Sequence, residues 1–228
     1  SSKENLEKVY GKKTTLARRN FVEADDNEII ENAKTKNVAF LVAGDPLVAT
    51  THIDLFLRAK KEGIKCKVLH NASIVSALGI TGLQIYKFGK TTSIPFDNEN
   101  IETPYNVLKD NLSLGMHTLF LLDLNPEDET QENQGFSGPR KFKEFSREFM
   151  TVSDAVRYLL KVELKRNEKV FSEKTTCVGC ARIGSDNQSI KAGTAKELLK
   201  FDFGKPVHCL IVPGKLHFIE EEALEILK

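Results

Sequence analysis

Asp45 is the one acid in residues 38–51, VAFLVAGDPLVATT, and its neighbours are those of a ligand-binding corner. Gly44 lets a ligand approach the backbone closely, and Pro46 fixes the path of the turn. Thr50 or Thr51 can cap the helix that follows, whose first amides favour an anionic group. A plain Asp-Pro turn closing a core strand has the same sequence, and the residues alone leave both readings open. Cys177-x-x-Cys180 lies in an apolar run without a second Cys pair at zinc spacing, which points to buried thiols. The five His are scattered, and no two have the i, i+4 spacing of a helical metal site, so no metal is expected. There is no G-x-G-x-x-G and no G-x-x-x-x-G-K-[ST], which removes the main support for dinucleotide and P-loop chemistry. No Ser-His-Asp order stands out, and no catalytic residue is assigned. Tyr86-Lys87-Phe88-Gly89-Lys90 mixes basic and aromatic residues and reads as a solvated loop, with contact to a protein substrate as a second use.

The elements that must position these groups alternate. Helices are predicted over residues 2–10 (stopped by Gly11), 25–36, 51–62 (stopped by Gly63), 72–78, 104–114, 151–166, 194–199 and 219–227. Strands are predicted over 13–16, 38–42, 65–69, 91–95, 117–124, 175–183 and 207–212. Thr103 and Thr151 are the expected caps of their helices, with Asp154 completing a capping box. Alternation of this kind implies α/β architecture with a mostly parallel sheet. The strand at 38–42 followed by a small-residue turn and a helix is the corner where open α/β sheets hold ligands. Residues 125–149 are polar, charged and glycine-bearing, and read as a long surface loop, partly disordered. A domain boundary is expected between residues 97 and 98.

At 228 residues, the length suffices for one large or two modest domains with a full core. Basic and acidic residues nearly balance, 33 against 32, for a net charge of +1. That argues against a strong polyanion-binding surface, so no nucleic-acid partner is expected. No apolar run reaches membrane-span length and no signal-peptide core is present, so no membrane contact is expected. Four Cys make no disulfide scaffold in a chain of this size, which suits a reducing, cytoplasmic setting.

Several segments together resemble the diphthine synthase branch of the tetrapyrrole methylase family. They are GDPLVATTH (residues 44–52), NASIVSALGITGLQIYKFGKTTSIPF (71–96), GMHTLFLLDL (115–124), CARIG (180–184), IKAG (190–193) and HCLIVPGKLH (208–217), in the family's order. The family's opening strand and Gly-rich turn have no counterpart, and Ser1-Ser2-Lys3-Glu4 reads like a segment that follows them. The resemblance implies two α/β domains with a cofactor cleft between them, and S-adenosylmethionine as cofactor. It places the cofactor contacts on Asp45, Val48, Ser73, Ile74, Leu124, Ile183 and His208. The implied substrate is a modified histidine of translation elongation factor 2, methylated on its amino group. Residues 125–149 look like the eukaryotic form, which also makes a methyl ester. A homodimer is implied too. A ribosomal RNA 2′-O-methyltransferase of the same fold is an alternative that residues 71–96 and the near-neutral charge oppose. A non-enzymatic protein-binding module is a second.

Methyl transfer from a sulfonium fits a site with no dedicated catalytic residue. Positive charge disperses as a neutral thioether leaves, so an oxyanion hole has no task. Placement of nucleophile and methyl carbon in a dry pocket remains, and orientation can be worth about 7–11 kcal/mol. An amine nucleophile must still be unprotonated, and the sequence names no base for it.

Overall fold

The computed structural model describes residues 3–17, 21–22, 28–124 and 149–228. They pack as two compact units, residues 1–74 and 75–228. The sequence-based boundary at residues 97 and 98 falls inside the second unit. Residues 75–97 go with that unit because Thr92–Ile94 pairs with its sheet and Gln84 and Lys87 bond to Glu220.

The first unit holds helices α1 (Lys3–Tyr10), α2 (Glu28–Ala33) and α3 (Ile53–Lys61). Leu55 and Ala59, one turn apart on α3, bury against Val22 and Ile30. Arg58 donates from Nη2 to the Val22 carbonyl at 2.6 Å. Gly63 ends α3 as the sequence predicts: its φ is +73° and Ile64 N–H reaches back to Ala59 O at 3.0 Å. Three predicted strands fail here. Residues 13–16, 38–42 and 65–69 carry no strand pairing among the described residues. A strand needs a hydrogen-bonded neighbour as well as an apolar sequence, and Val38, Leu41 and Leu69 stay 43, 49 and 71% exposed. Neither Thr50 nor Thr51 is the cap of α3; His52 occupies that position.

The second unit is built on a five-stranded sheet. Its strands are β1 (Thr92–Ile94), β2 (Thr118–Leu122), β3 (Thr176–Ala181), β4 (Ser189–Thr194) and β5 (His208–Val212), in the spatial order β1-β2-β5-β3-β4. Only β1 and β2 pair in parallel; the other three ladders are antiparallel, which corrects the expectation of a mostly parallel sheet. The connections decide it. A helix, α5 (Thr103–Ser113), links β1 to β2 and permits the parallel return, whereas residues 182–188 between β3 and β4 are too few for a crossover. β4 itself was not predicted, because Ser-Ile-Lys-Ala-Gly-Thr lacks a clean alternation.

Helix α6 (Val152–Arg166) covers one face of this sheet. It starts as predicted: Thr151 accepts from the Asp154 amide, and the Asp154 carboxylate accepts from Thr151 N–H at 2.9 Å. It buries Val152, Ala155, Val156, Tyr158, Leu159 and Val162 against Phe120, Leu210 and Val212. Each such side chain contributes about 1.5–3 kcal/mol of apolar burial. Thr103 is the first residue of α5 instead of its cap; Glu102 holds that place without a side-chain bond. Thr194 caps α7 (Ala195–Leu198), and His217 caps α8 (Phe218–Ile226), each with a capping box. Among the described residues no helix is long and apolar enough to cross a membrane.

Candidate functional site

In the first unit the candidate positions gather around Asp45. Gly44 has φ +83°, and a Cβ added there would lie 3.3 Å from the Ala72 carbonyl, so this turn requires glycine. Asp45 is 8% exposed and organises both sides of the corner. Its Oδ1 accepts from Leu47 N–H at 2.9 Å; its Oδ2 accepts from His70 Nδ1–H at 2.9 Å and from Asn71 N–H at 3.2 Å. The Leu47 amide first, and His70 second, hold the Asp45 carboxyl below the usual carboxylate range. Three of about four acceptor positions on the carboxylate are taken, which leaves one on Oδ1 for a ligand donor. Val48, on the loop side of the corner, is 37% exposed, and Ser73 and Ile74 are half-buried where α4 (Ile74–Ala77) begins.

In the second unit the candidate positions lie at one end of the sheet. β2 and β3 both run antiparallel to β5, so the ends of β2 and β3 and the start of β5 fall on one side. Leu124, Ile183 and His208 sit there. Leu124 follows β2 and is 47% exposed; Ile183 follows β3 and is half-buried; His208 opens β5 opposite Ala181. His208 is buried, and its Nε2 lies 3.2 Å from the Gly204 carbonyl and 3.0 Å from the Lys205 carbonyl. Carbonyls only accept, so Nε2 carries the proton and Nδ1 is an acceptor. Among the described residues that buried Nδ1 has no hydrogen-bond partner. Burial is the main cause that lowers the His208 pKa and keeps the ring neutral. Beside it opens a cavity of about 220 Å³ whose walls include Ser153, Phe201, Asp202 and Phe203. Its mainly polar lining carries the Arg157 cation as well as the Asp202 carboxylate and the Ser153 hydroxyl.

A model of the family described as "Tetrapyrrole (Corrin/Porphyrin) Methylases" matches residues 2–199. The chain belongs to the tetrapyrrole methylase family. It is 47% identical to the diphthine synthase of Methanocaldococcus jannaschii over 226 residues, covering 98% of this chain and 82% of the relative. It is equally similar, at 47% over 98% of this chain and 81% of the relative, to the probable diphthine methyl ester synthase of Arabidopsis thaliana. The crystal structure of a putative diphthine synthase from Entamoeba histolytica superposes with a TM-score of 0.82 at 41% identity, covering all of this chain and 82% of that one. These matches make the chain a methyltransferase with the fold of that family.

Of the seven positions that the resemblance marks, four lie in the first unit and three in the second. The Cys pair is buried, Cys177 in the core under α6 and Cys180 across from Cys209 on β5. Burial pushes the Cys177 thiol up, and the neighbouring Cys209 together with burial raises Cys180. The solvated-loop reading of residues 86–90 holds for Tyr86, 80% exposed, but fails for Lys87. Lys87 pairs with Glu220, which is fully buried and also accepts from Gln84 N–H, His217 N–H and His117 Nε2–H. Gly214 N–H donates to the other His117 nitrogen, and burial keeps that ring neutral. Sequence reasoning missed this network, and it missed His70 as the partner of Asp45. Separations of 133 and 25 residues leave no local signal for either pair.

Proposed function

We propose that this methylase transfers methyl groups from S-adenosylmethionine to the modified histidine of translation elongation factor 2, including formation of a methyl ester. The near-full-length similarity to diphthine synthases, one of them a probable methyl ester synthase, carries this reading. The cofactor, when bound, supplies an electrophilic methyl carbon on a sulfonium. Asp45 would hold it through the free acceptor position on Oδ1, taking a hydrogen bond from a hydroxyl or ammonium. Val48, Ile74, Leu124 and Ile183 would pack on its apolar surface and exclude water; Ser73 offers a hydroxyl and an amide. His208, neutral and with an unpaired acceptor, suits a ligand that brings N–H donors. No side chain is assigned as general base.

The family likeness further supports a cytoplasmic homodimer, to which the exposed Phe218 and Ile219 of α8 would lend apolar surface. The near-balanced charge supports a protein substrate over nucleic acid. The residues that suggest the ester-forming version, 125–149, lie outside the described residues except for Phe149. The test is transfer of labelled methyl from the cofactor into elongation factor 2 carrying the unmethylated histidine intermediate, with ribosomal RNA as competitor. Label in the protein that disappears when the histidine is replaced is the expected result, and mild base should release one methyl as the ester hydrolyses. Label only in RNA would overturn the substrate; a base-stable product would remove the ester alone.

A further inference from the structure

Arg182 adjoins Ile183 and bonds to the turn that holds His208, two of the three second-unit candidate positions. Its backbone φ is +52°, in the left-handed region that non-glycine residues rarely adopt. Its N–H donates to Val207 O at 2.9 Å, one residue beyond the last β3–β5 pair. The guanidinium reaches three backbone carbonyls: Nε donates to Asn187 O at 3.0 Å, and Nη1 to Phe203 O at 2.9 Å and to Lys205 O. It meets no carboxylate among the described residues. Lys205 O is also one of the two carbonyls that hold His208 Nε2. Arg182 therefore ties residues 183–187, which begin with Ile183, to the turn that fixes the His208 ring and forms a wall of the cavity.

The sheet does not need this clamp. β3 and β5 are already joined by four register pairs, Val178–Ile211 to Ala181–His208, and Arg182 is absent from the apolar core under α6. A side chain that turns its Nε and Nη1 donors to loop carbonyls, at a strained backbone position where glycine would sit more easily, acts on the loops. We propose that Arg182 is a positioning residue for the cofactor: its guanidinium locks Ile183 and His208 into one fixed arrangement at the sheet end. This rests on the cofactor reading above and assigns no contact between Arg182 and the ligand.

R182G separates positioning from stability, because glycine accepts the left-handed backbone while removing the clamp. The expected result is a folded protein whose unfolding midpoint stays within about 4 °C of the parent. Its affinity for S-adenosylhomocysteine by calorimetry falls about ten- to hundredfold, the range for lost hydrogen bonds to a charged group. R182K, a point charge without the fork, recovers part of that loss. Hydrogen exchange reads the clamp without any ligand: amides of residues 183–188 and 203–207 exchange faster in R182G, while those of residues 209–212 do not. Parent-like affinity in R182G, or unchanged exchange in both loops, overturns the proposal. Should the parent itself bind no S-adenosylhomocysteine, the cofactor reading falls and the exchange result alone decides the clamp.

Discussion

At the first unit's corner, Asp45 holds the turn through one carboxylate: Leu47 on one side, His70 and Asn71 on the other. At the second unit's sheet end, His208 is fixed by strand register with Ala181 and by two carbonyls, and Arg182 reinforces the same turn. The difference is one of redundancy. A corner made of turns and a short helix concentrates its geometry in a few hydrogen bonds, so one substitution should release it. A sheet end inherits its geometry from ladders that continue into a packed core, so a single change at the rim loosens loops and spares the strands.

The largest expected effect tests whether the second unit's rigidity depends on the buried Glu220. E220A leaves Lys87 and His117 without their carboxylate and frees the Gln84 and His217 amides. Breaking a buried ion pair by removing one partner costs about 3–5 kcal/mol. Hydrogen exchange should show protection lost through β2 and β5 while α3 in the first unit keeps its own. Equal loss in both units would mean that the two do not behave independently, and the comparison would fail.

Acid should act next, and in two steps, both in the second unit. Burial lowers the pKa of His117 and of His208, so the unfolded chain binds more protons there. Stability from these rings is complete above about 6.5, the unfolded imidazole value, and declines as pH falls below it. Glu220 and Glu163 are each held at about 2, Glu220 by Lys87 and two amides and Glu163 by the Phe171, Lys169 and Val170 amides with Tyr105. Their contribution is complete above about 4.5 and is lost as pH falls toward 2. Unfolding midpoints measured from pH 8 to 3 should therefore drop in two stages. In H117Q the first stage should shrink; an unchanged first stage would assign it elsewhere.

D45A should come third and strike the corner instead. With three hydrogen bonds gone, S-adenosylhomocysteine should bind about tenfold more weakly, the loss expected for one hydrogen bond to a charged acceptor. Exchange should quicken at residues 44–48 and 70–72 only. D45N should fall between, because its amide oxygen still accepts from Leu47 while its NH₂ meets a donor on His70. Unchanged affinity in folded D45A would make Asp45 a turn residue and nothing more.

How much of this was legible in the sequence follows the same division. β2, β5 and α6 were readable, since apolar strands and a Thr151–Asp154 box specify themselves locally. The seven candidate positions came from motif resemblance; Ser73, Ile74, Leu124, Ile183 and His208 lie at or near element ends, whereas Asp45 and Val48 sit in a turn that no strand precedes. What the sequence hid was pairing. Nothing near residues 38–42 tells whether a neighbouring strand is present, and nothing near β3 tells that β5 runs antiparallel beside it. Lys87 reads as one more loop cation and Glu220 as one of four acids on a helix, until the fold buries them together. His70 and Arg182 likewise acquire their partners only when distant turns meet. Local physics fixes elements; the polar contacts that hold a site are mostly nonlocal.

The smallest prediction compares how the two helices nearest these regions begin. α6 starts with a residue in the extended region, φ −103° and ψ 166°, whose hydroxyl caps the helix; T151A should cost about 1 kcal/mol. α3 starts at His52, which is already helical at φ −62° and ψ −15° and makes no capping bond. Its ring is employed elsewhere: Nδ1 lies 3.1 Å from the Pro46 carbonyl, and the ring meets Phe40 edge-on at 5.1 Å between centroids. Serine is a good cap only where the backbone is extended, so H52S gains no cap and loses both contacts. The expected outcome is a loss of about 0.5–1 kcal/mol, comparable to one weak hydrogen bond, with faster exchange at residues 46–48. If H52S instead stabilised the first unit, His52 would be an unfavourable helix start with no part in holding the corner. The reach of Asp45's turn would then end at Leu47.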